Sequence, residues 1–453
     1  MDRTLILKIA YVLSFLVTLV LSLFYPLLII VPLFIGLLVF SCFFTLKQLA
    51  ALTWFTLVIA SFFGSVLSIP GFESLFLYRI LLPVQVALLL LTWSNWSWTS
   101  KRARITLLLL VGWLVTAMVT ISWAKYQGVA FRNVYFIIEA IYLILTAMYY
   151  LKTEKEIEVL ITMVSIVIAV NIGIGLYEIN TGLHLKKSGL TDIIGNAQFL
   201  PSGTFFNPND LASFLVLFLP LTLVYMKSKS LIGKLYKLLL AIGAVYIVIA
   251  TQSRIALILI TVVLFLLLLR YSWKWAVLVL LCIPLFLQLP SMQETMGQVN
   301  QTYTDKENST DLRLDITKYT WQTAKDSYFL GVGPGNVQIA LAKYFPADEQ
   351  NSDGAVSVHN FLLEVLANYG LLSLLFFLSF LLYIFYQSWY YWIKNKAKAV
   401  KYLIPLLSTI AFPFITFASS TTLEKSYIWI SFGIILAVLN QYDKRMEIKN
   451  ETI

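Results

Sequence analysis

The feature that most constrains this chain is a succession of apolar runs, each roughly 20 residues long, that fill most of its length. A helix needs about 20 mostly apolar residues to cross the hydrocarbon core, where every backbone polar group must be satisfied within the protein. The runs therefore predict an all-α integral membrane protein with about 14 transmembrane helices. The predicted spans cover residues 6–24, 26–45, 49–68, 75–93, 105–123, 131–150, 157–178, 209–226, 235–251, 254–270, 273–289, 359–388, 401–419 and 424–440.

The composition agrees with a membrane protein and argues against a nucleic-acid partner. Hydrophobic residues make up 59% of the 453 residues and charged residues 12%, whereas a soluble domain has about 25% charged residues. The net charge of +10 comes from short basic clusters between apolar runs, as membrane topology requires. Cys42 and Cys282 both fall inside such runs, which favours core or lipid-facing positions over a disulfide.

The basic residues also predict the orientation. With the N-terminus in the cytoplasm, most lysines and arginines of the short loops lie on the cytoplasmic side, and this places both termini there. Two longer segments, 179–208 and 290–358, then face outward. The chain divides on this basis into N-terminal spans, a large extracytoplasmic loop, C-terminal spans and a cytoplasmic tail. Their predicted ranges are 1–289, 290–358, 359–440 and 441–453.

The large outer loop contains nine acidic and five basic residues and should hold short helices. Ser309 or Thr310 can cap a helix over 311–327, and a second helix is predicted over 337–344. Residues 347–357 are predicted to be a mobile connection. The buried face of the first helix is predicted to consist of Leu312, Ile316, Tyr319 and Thr320.

Three arginines lie at the outer ends of predicted spans: Arg79, Arg132 and Arg254. Ionisable residues at membrane depth are costly and usually face an interior cavity. The guanidinium fork binds two phosphate oxygens at once, so these arginines are candidates for a diphosphate site. The alternatives are snorkelling to the interface or, for Arg132, an ion pair with Glu139.

Two further candidates lie in or next to the large loop. His359 begins a span directly after the loop, and a histidine can remove a proton from a hydroxyl near neutral pH. The alternative for His359 is a purely hydrogen-bonding role at a helix end. Arg313 lies near Asp311 and Asp315, so its position alone is also that of a surface residue in a local ion-pair cluster.

The glycine run 331–336 is neither a Walker A loop nor a dinucleotide fingerprint, because no Gly-Lys-Ser/Thr follows it and no strand precedes it. Its spacing predicts a tight turn whose backbone amides can approach an anion. Asn207 begins another helix as its cap, and this capping alone explains Asp210. Two histidines and no outer cysteine do not supply a zinc site, and no metal or other cofactor is predicted.

Several motifs, taken in order, resemble the bacterial O-antigen ligase and O-antigen polymerase superfamily. The resemblance covers about residues 200–375 and rests on their combination, since each motif alone has low specificity. The motifs are Thr-Phe-Phe-Asn-Pro-Asn-Asp-Leu-Ala at 204–212, Gln-Ser-Arg at 252–254, Arg313, Gly-Val-Gly-Pro-Gly-Asn at 331–336, and His-Asn-Phe-Leu-Leu-Glu-Val-Leu-Ala-Asn-Tyr-Gly at 359–370.

The resemblance implies a metal-independent glycosyltransferase of the bacterial cytoplasmic membrane with its active site facing outside. Such enzymes transfer a glycan from a polyprenyl-diphosphate carrier to an acceptor hydroxyl. Arg254, Arg313 and His359 match the family's catalytic residues, with His359 as the proposed base. The candidate substrate-binding residues are Arg79, Arg132, Asn207, Asn209, Asp210, Gly331, Gly333, Asn336 and Asn360.

The expected partners are the lipid-linked glycan donor, a glycan acceptor, the bilayer, and flippase and chain-length regulator proteins. The composition, rich in Lys, Phe, Ile and Leu, resembles that of low-GC Gram-positive bacteria and favours a polymerase of capsule, exopolysaccharide or teichuronic-type chains. A ligase that transfers a finished glycan to lipid or protein is the alternative within the family. A transporter or flippase is the alternative of another class, and it would require charged residues near the bilayer midplane.

Overall fold

The fold comes from a computed structural model. It describes residues 44–69, 72–92, 100–186, 188–191, 193, 195–274, 307–346, 355–394, 399–418 and 422–451. The predicted span 6–24, nearly all of 26–45 and 273–289, both cysteines and most of the predicted mobile connection lie outside these residues.

The described residues form thirteen α-helices and one small sheet. Each predicted span within them corresponds to a helix. The helices are α1 (Leu46–Ser61), α2 (Leu77–Thr92), α3 (Lys101–Val119), α4 (Gln127–Tyr150), α5 (Glu154–Thr181), α6 (Pro208–Tyr225), α7 (Leu231–Ala250), α8 (Arg254–Tyr271), α9 (Glu307–Asp326), α10 (Asn336–Leu341), α11 (Phe361–Lys394), α12 (Ala399–Ala418) and α13 (Ser426–Glu451).

Seven of the described helices are long and apolar enough to cross a membrane, namely α3 to α7, α11 and α12. Three shorter apolar helices, α1, α2 and the first part of α13, accompany them. The expectation of a mostly helical, multi-pass membrane protein is therefore confirmed. The number of spans and their orientation stay predictions.

The structure corrects two details of the predicted elements. A two-stranded antiparallel sheet, β1 (Ser68–Ile69) and β2 (Phe72–Phe76), replaces a purely helical connection between α1 and α2. The helix predicted over 311–327 begins earlier, at Glu307, so Ser309 and Thr310 lie inside it rather than capping it. Its predicted buried face is confirmed, because Ile316 and Thr320 are buried while Leu312 and Tyr319 are half-buried.

The chain divides into two compact units. The first is drawn from Met1–Ser97 and His184–Asp192, and within it α1 packs against α2. The helix α1 begins at a capping box, in which Thr45 and Gln48 each bond the other's backbone. The second unit is drawn from Trp98–Leu183 and Ile193–Ile453 and holds the remaining described helices.

The helix α6 lies at the centre of the second unit. It is apolar on every face and buried along most of its length, as expected of a helix surrounded by others. Its neighbours are α5, α7, α8 and α12. Asn207 caps it by accepting a hydrogen bond from the Asp210 amide at 2.9 Å, and Pro208 occupies the first turn.

A cluster of aromatic rings joins α3, α11, α12 and α13 next to α6. Trp113 lies at its middle, with its ring centroid 4.9 Å from that of Phe377 and 6.0 Å from that of Trp429. Phe361, the first residue of α11, is fully buried in this cluster. The start of α11 is therefore fixed by packing, and with it the residues that precede it.

The second unit has two polar ends. At one end the buried guanidinium of Arg102 donates to Gln387, Tyr391 and Asn440, and Lys401 pairs with Glu154 at 2.9 Å. The opposite end holds the starts of α4, α6, α8, α11 and α13 and the end of α12. Most of the candidate functional residues lie at this second end.

The helix α11 is broken at Gly370, which adopts φ 85° and ψ 176°. This conformation is accessible to glycine but strained for other residues. A Cβ atom there would also lie 2.6 Å from the Leu330 carbonyl oxygen. The break therefore requires glycine on both counts.

We expect Gly370→Ala to lower the free energy of unfolding by roughly 2 kcal/mol, because the alanine is strained and its methyl group collides with backbone. Gly128→Ala is the matched control: Gly128 lies in α4 with open space around it. Thermal unfolding of both proteins in the same detergent measures the difference. Equal midpoints would contradict the role assigned to the break.

Candidate active site

The glycine run between α9 and α10 is held against the break in α11 by backbone hydrogen bonds. The Val332 amide donates to the Ala367 carbonyl and the Gly333 amide to the Asn368 carbonyl, both at 2.9 Å. The Leu371 amide donates to the Phe329 carbonyl at 2.8 Å. We call this set of contacts the loop clamp. Carbonyls released by the break thus find partners in the loop.

The Val332 and Gly333 amides are used within the protein, so the expectation that the amides of this run approach an anion does not hold for these two. The glycines are instead required by close packing. A Cβ atom on Gly331 would lie 2.6 Å from the Asn368 carbonyl oxygen, and one on Gly333 would lie 2.4 Å from the Ala124 Cβ atom. Both glycines also have positive φ values, 86° and 101°.

Asn336, another predicted substrate-binding residue, also has a structural contact. Its side chain is buried, and Oδ1 accepts a hydrogen bond from the Tyr126 amide at 2.8 Å. Beside it, the Trp123 indole nitrogen donates to the Gly331 carbonyl at 2.8 Å. The connection between α3 and α4 is thus bound to the loop, an attachment that no motif in the sequence indicates.

A hydrophobic cluster packs α9 and α10 onto the first turns of α11. Ile316 of α9, Val337 of α10 and Leu366 of α11 are buried together in it, along with Val358. Arg313 lies three residues before Ile316, and His359 directly follows Val358. The cluster therefore positions the chain segments that carry Arg313 and His359 beside one another.

Arg313 and Arg254 are brought together from different parts of the chain. The two guanidinium groups are close enough that the charge of Arg254 lowers the pKa of Arg313, although burial of Arg313 lowers this pKa more. Arg313 also donates from Nη1 to the Phe417 carbonyl, at the end of α12, at 3.1 Å. Two cations held near each other form a natural site for an anion.

His359 adopts a left-handed backbone conformation, with φ 52°. Such a φ is uncommon for residues other than glycine, and strained backbone concentrates at functional sites. Asn360 accepts a hydrogen bond from the Leu363 amide at 3.2 Å and so caps α11. His359 is therefore fixed between a buried valine and a helix cap, and its side chain is half-buried.

The predicted residue Asp210 has a partner that the sequence does not reveal. Its side chain is 1% exposed and forms an ion pair with Lys425, whose side chain is 17% exposed. Asn207 serves as the helix cap, and Asn209 is half-buried in the first turn of α6. The sequence-based explanation of Asp210 by capping is therefore incomplete.

Arg132 pairs with Glu424 at 3.3 Å rather than with Glu139, the partner given above as one alternative. The Arg132 side chain is 65% exposed, and its guanidinium also lies over the Phe136 ring. Glu424 interacts electrostatically with the buried Glu364, which accepts a hydrogen bond from Gln338 at 2.6 Å. Glu364 and Gln338 connect the start of α11 with α10.

The end of α12 and the residues just before α13 gather these contacts. Within a few residues they provide the Phe417 carbonyl to Arg313, Glu424 to Arg132, and Lys425 to Asp210. Sequence reasoning missed this segment. The adjacent charges of Glu424 and Lys425 between two apolar runs were the available signal.

Arg79 belongs to the first unit. Its side chain is exposed, donates from Nη1 to the Ser74 carbonyl at 3.1 Å, and lies over the Phe76 ring. These contacts hold the arginine against β2. Among all described residues, no group of three His, Cys, Asp or Glu side chains lies close enough to hold a metal ion.

Comparisons with known proteins agree with the motifs. Residues 238–378, which include Arg254, Arg313, the glycine run, His359 and the break at Gly370, match the family model described as O-antigen ligase. The resemblance to the O-antigen ligase and polymerase superfamily is thereby confirmed over this region, and the described helices are those of a multi-pass membrane protein.

One relative extends the match beyond this region. The chain is 27% identical over 409 residues to the teichuronic acid biosynthesis protein TuaE of Bacillus subtilis (strain 168), covering 82% of this chain and 80% of that protein. Both comparisons support a glycosyltransferase-like function in polysaccharide biosynthesis.

Replacing Lys425 with methionine leaves the buried Asp210 carboxylate without its cation, so we expect the free energy of unfolding to fall by about 3 kcal/mol. The double variant Asp210→Asn/Lys425→Met should recover most of this loss. Arg132→Met, which breaks the exposed pair, should lower the free energy by less than about 1 kcal/mol. Thermal unfolding in detergent compares the three, and similar losses for Lys425→Met and Arg132→Met would contradict this assignment.

Proposed function

We propose that the protein polymerises polyprenyl-diphosphate-linked oligosaccharide repeat units on the outer face of the bacterial cytoplasmic membrane. The observation that carries the proposal is that the positive charges of Arg254 and Arg313 lie close to each other. They lie at the end of the second unit that also holds His359, just before α11. These three residues come from separate parts of the chain, and their arrangement suits an anionic leaving group beside a base.

In this proposal Arg254 and Arg313 bind the diphosphate of the carrier. Holding two like charges close together is unfavourable, and an anion between them removes that repulsion. As the bond between sugar and diphosphate breaks, the diphosphate takes the electron pair and gains charge. Arginines already in place stabilise this transition state more than the ground state.

Arg132 lies at the same end of the second unit, where it can guide the headgroup. For Arg79 in the first unit, diphosphate binding rests on the sequence pattern alone.

The imidazole of His359 accepts the proton of the acceptor hydroxyl, and the resulting oxygen nucleophile attacks the anomeric carbon. A new carbon–oxygen bond forms as the bond to the diphosphate breaks. A single displacement of this kind inverts the configuration at the anomeric carbon. This scheme uses no metal, no nucleotide sugar and no other cofactor.

The outward placement of this site rests on the distribution of basic residues. The end of the second unit with Arg102 and Lys401 also has lysines of the short connections, including Lys227. The positive-inside rule assigns that end to the cytoplasm, so the end with His359 faces outside. We retain about 14 spans and two cytoplasmic termini as part of the proposal.

Polymerisation is preferred over ligation because the relative is named for biosynthesis of a polymer, teichuronic acid. A ligase would transfer a finished chain to a lipid or protein with the same chemistry. The products distinguish the two: loss of a polymerase leaves single repeat units on the carrier, whereas loss of a ligase leaves long chains there. Flippase and chain-length regulator proteins would be its partners.

We expect His359→Ala protein, present at normal levels in the membrane, to make no polymer in cells that lack their own copy of the gene. The matched control is His184→Ala, which removes the other of the two histidines and should leave polymer formation intact. Gel electrophoresis of the carrier-linked glycans provides the readout. Full-length polymer from the His359→Ala protein would refute the proposed base.

We expect Arg254→Gln and Arg313→Gln each to reduce the rate of transfer from a purified lipid-linked repeat unit by about 100-fold, since each removes a preorganised donor to the leaving group. Arg270→Gln, at the other end of α8, is the matched control and should stay near the wild-type rate. If all three variants were equally active, the diphosphate site would lie elsewhere.

A further inference from the structure

A groove of about 700 Å³ lies beside the loop clamp, on the other side of α10 from Glu364. The connection between α3 and α4 forms one wall, and α10 with the glycine run forms the other. Its volume is within the range of sites that bind small ligands, about 300–1,000 Å³. The lining residues are Trp123, Lys125, Tyr126, Leu330, Asn336 and Lys343, with neighbouring positions of the loop.

The lining combines aromatic rings with positive charge. Trp123 is 48% exposed and Tyr126 is 42% exposed, and the Lys125 ammonium lies 5.3 Å from the centroid of the Tyr126 ring. Lys125 and Lys343 are also exposed, and neither forms an ion pair with a carboxylate among the described residues. None of the lining residues is acidic. The groove is therefore amphipathic and carries a net positive charge.

We infer that this groove binds the glycan chain itself and prefers chains that bear carboxylates; the inference rests on the proposed function. A sugar ring presents an apolar face of C–H groups, which packs against exposed aromatic rings. Two separated ammonium groups complement carboxylates on neighbouring sugars, because an ammonium binds as a point charge without a fixed geometry. A neutral chain would use the rings but not the lysines.

The position of the groove suits a chain leading to the active site. The short helix α10 contributes Ile339 and Ala340 to the groove and Gln338 to Glu364 at the start of α11. One turn of helix therefore separates the groove from the segment that follows His359. A bound chain would extend from the groove toward the site of transfer.

The test is the binding of a hexagalacturonate and of its methyl ester, a neutral chain with the same backbone. Isothermal titration calorimetry uses the full-length protein in nanodiscs of neutral phosphatidylcholine. We expect the acid to bind about tenfold more tightly than the ester. Added salt should weaken binding of the acid but not binding of the ester. Lys125→Gln/Lys343→Gln should weaken binding of the acid about tenfold and leave the ester unchanged.

The matched control is Lys318→Gln, which removes an exposed lysine of α9 that also lies over a tyrosine ring. It should bind the acid as the wild type does. Equal affinities for acid and ester, failure of the wild type to bind the acid, or equal affinities of the double variant and Lys318→Gln would each overturn the inference.

This test separates the groove from the proposed chemistry. His359→Ala protein should bind the hexagalacturonate normally while making no polymer. If His359→Ala still makes polymer and the lysine variants lose binding, the proposed function fails while the groove is retained. If the lysine variants bind the hexagalacturonate normally and His359→Ala makes no polymer, the inference about the groove fails while the proposed function is retained.

Discussion

The arrangement of this site depends on satisfying the backbone polar groups of a helix that is broken close to its start. A break in an apolar helix leaves carbonyls and amides without helical partners, which is tolerated only where other protein groups replace them. Here the Ala367 and Asn368 carbonyls accept from the glycine run, and the Leu371 amide donates to Phe329. The loop and the break therefore stabilise each other. The same hydrogen bonds hold the polar loop against the helix bundle, where Arg313 and His359 are located.

The charged groups around this contact differ in environment and therefore in their expected roles. Asp210 and Lys425 form a nearly buried pair, whose loss leaves an uncompensated charge. Arg132 and Glu424 are largely exposed, so their attraction is weak and either group is available to a ligand. Arg254 and Arg313 repel each other. A fold that keeps two cations close together is suited to receive an external anion.

The sequence predicted the local features of the fold and the candidate residues but not their contacts. Apolar runs determine helices through length and composition, so the described spans and the buried face around Ile316 were predictable. The ion pair of Asp210 with Lys425 was not, because 215 positions separate the two along the chain. The role of Asn336 depends on the Tyr126 backbone, which carries no sequence signal. The break was partly visible, since Asn368 and Gly370 are turn-forming residues within an apolar segment.

The break at Gly370 also changes which part of α11 counts as a membrane span. The nine residues before it contain Glu364 and Asn368, both buried against the loop, so these residues, about two and a half turns of helix, pack with the polar loop. The remaining stretch, from 371 to 394, is about 36 Å long, enough to cross a bilayer unaided. We therefore expect the membrane span of α11 to begin near this glycine, about ten residues later than hydropathy alone would place it.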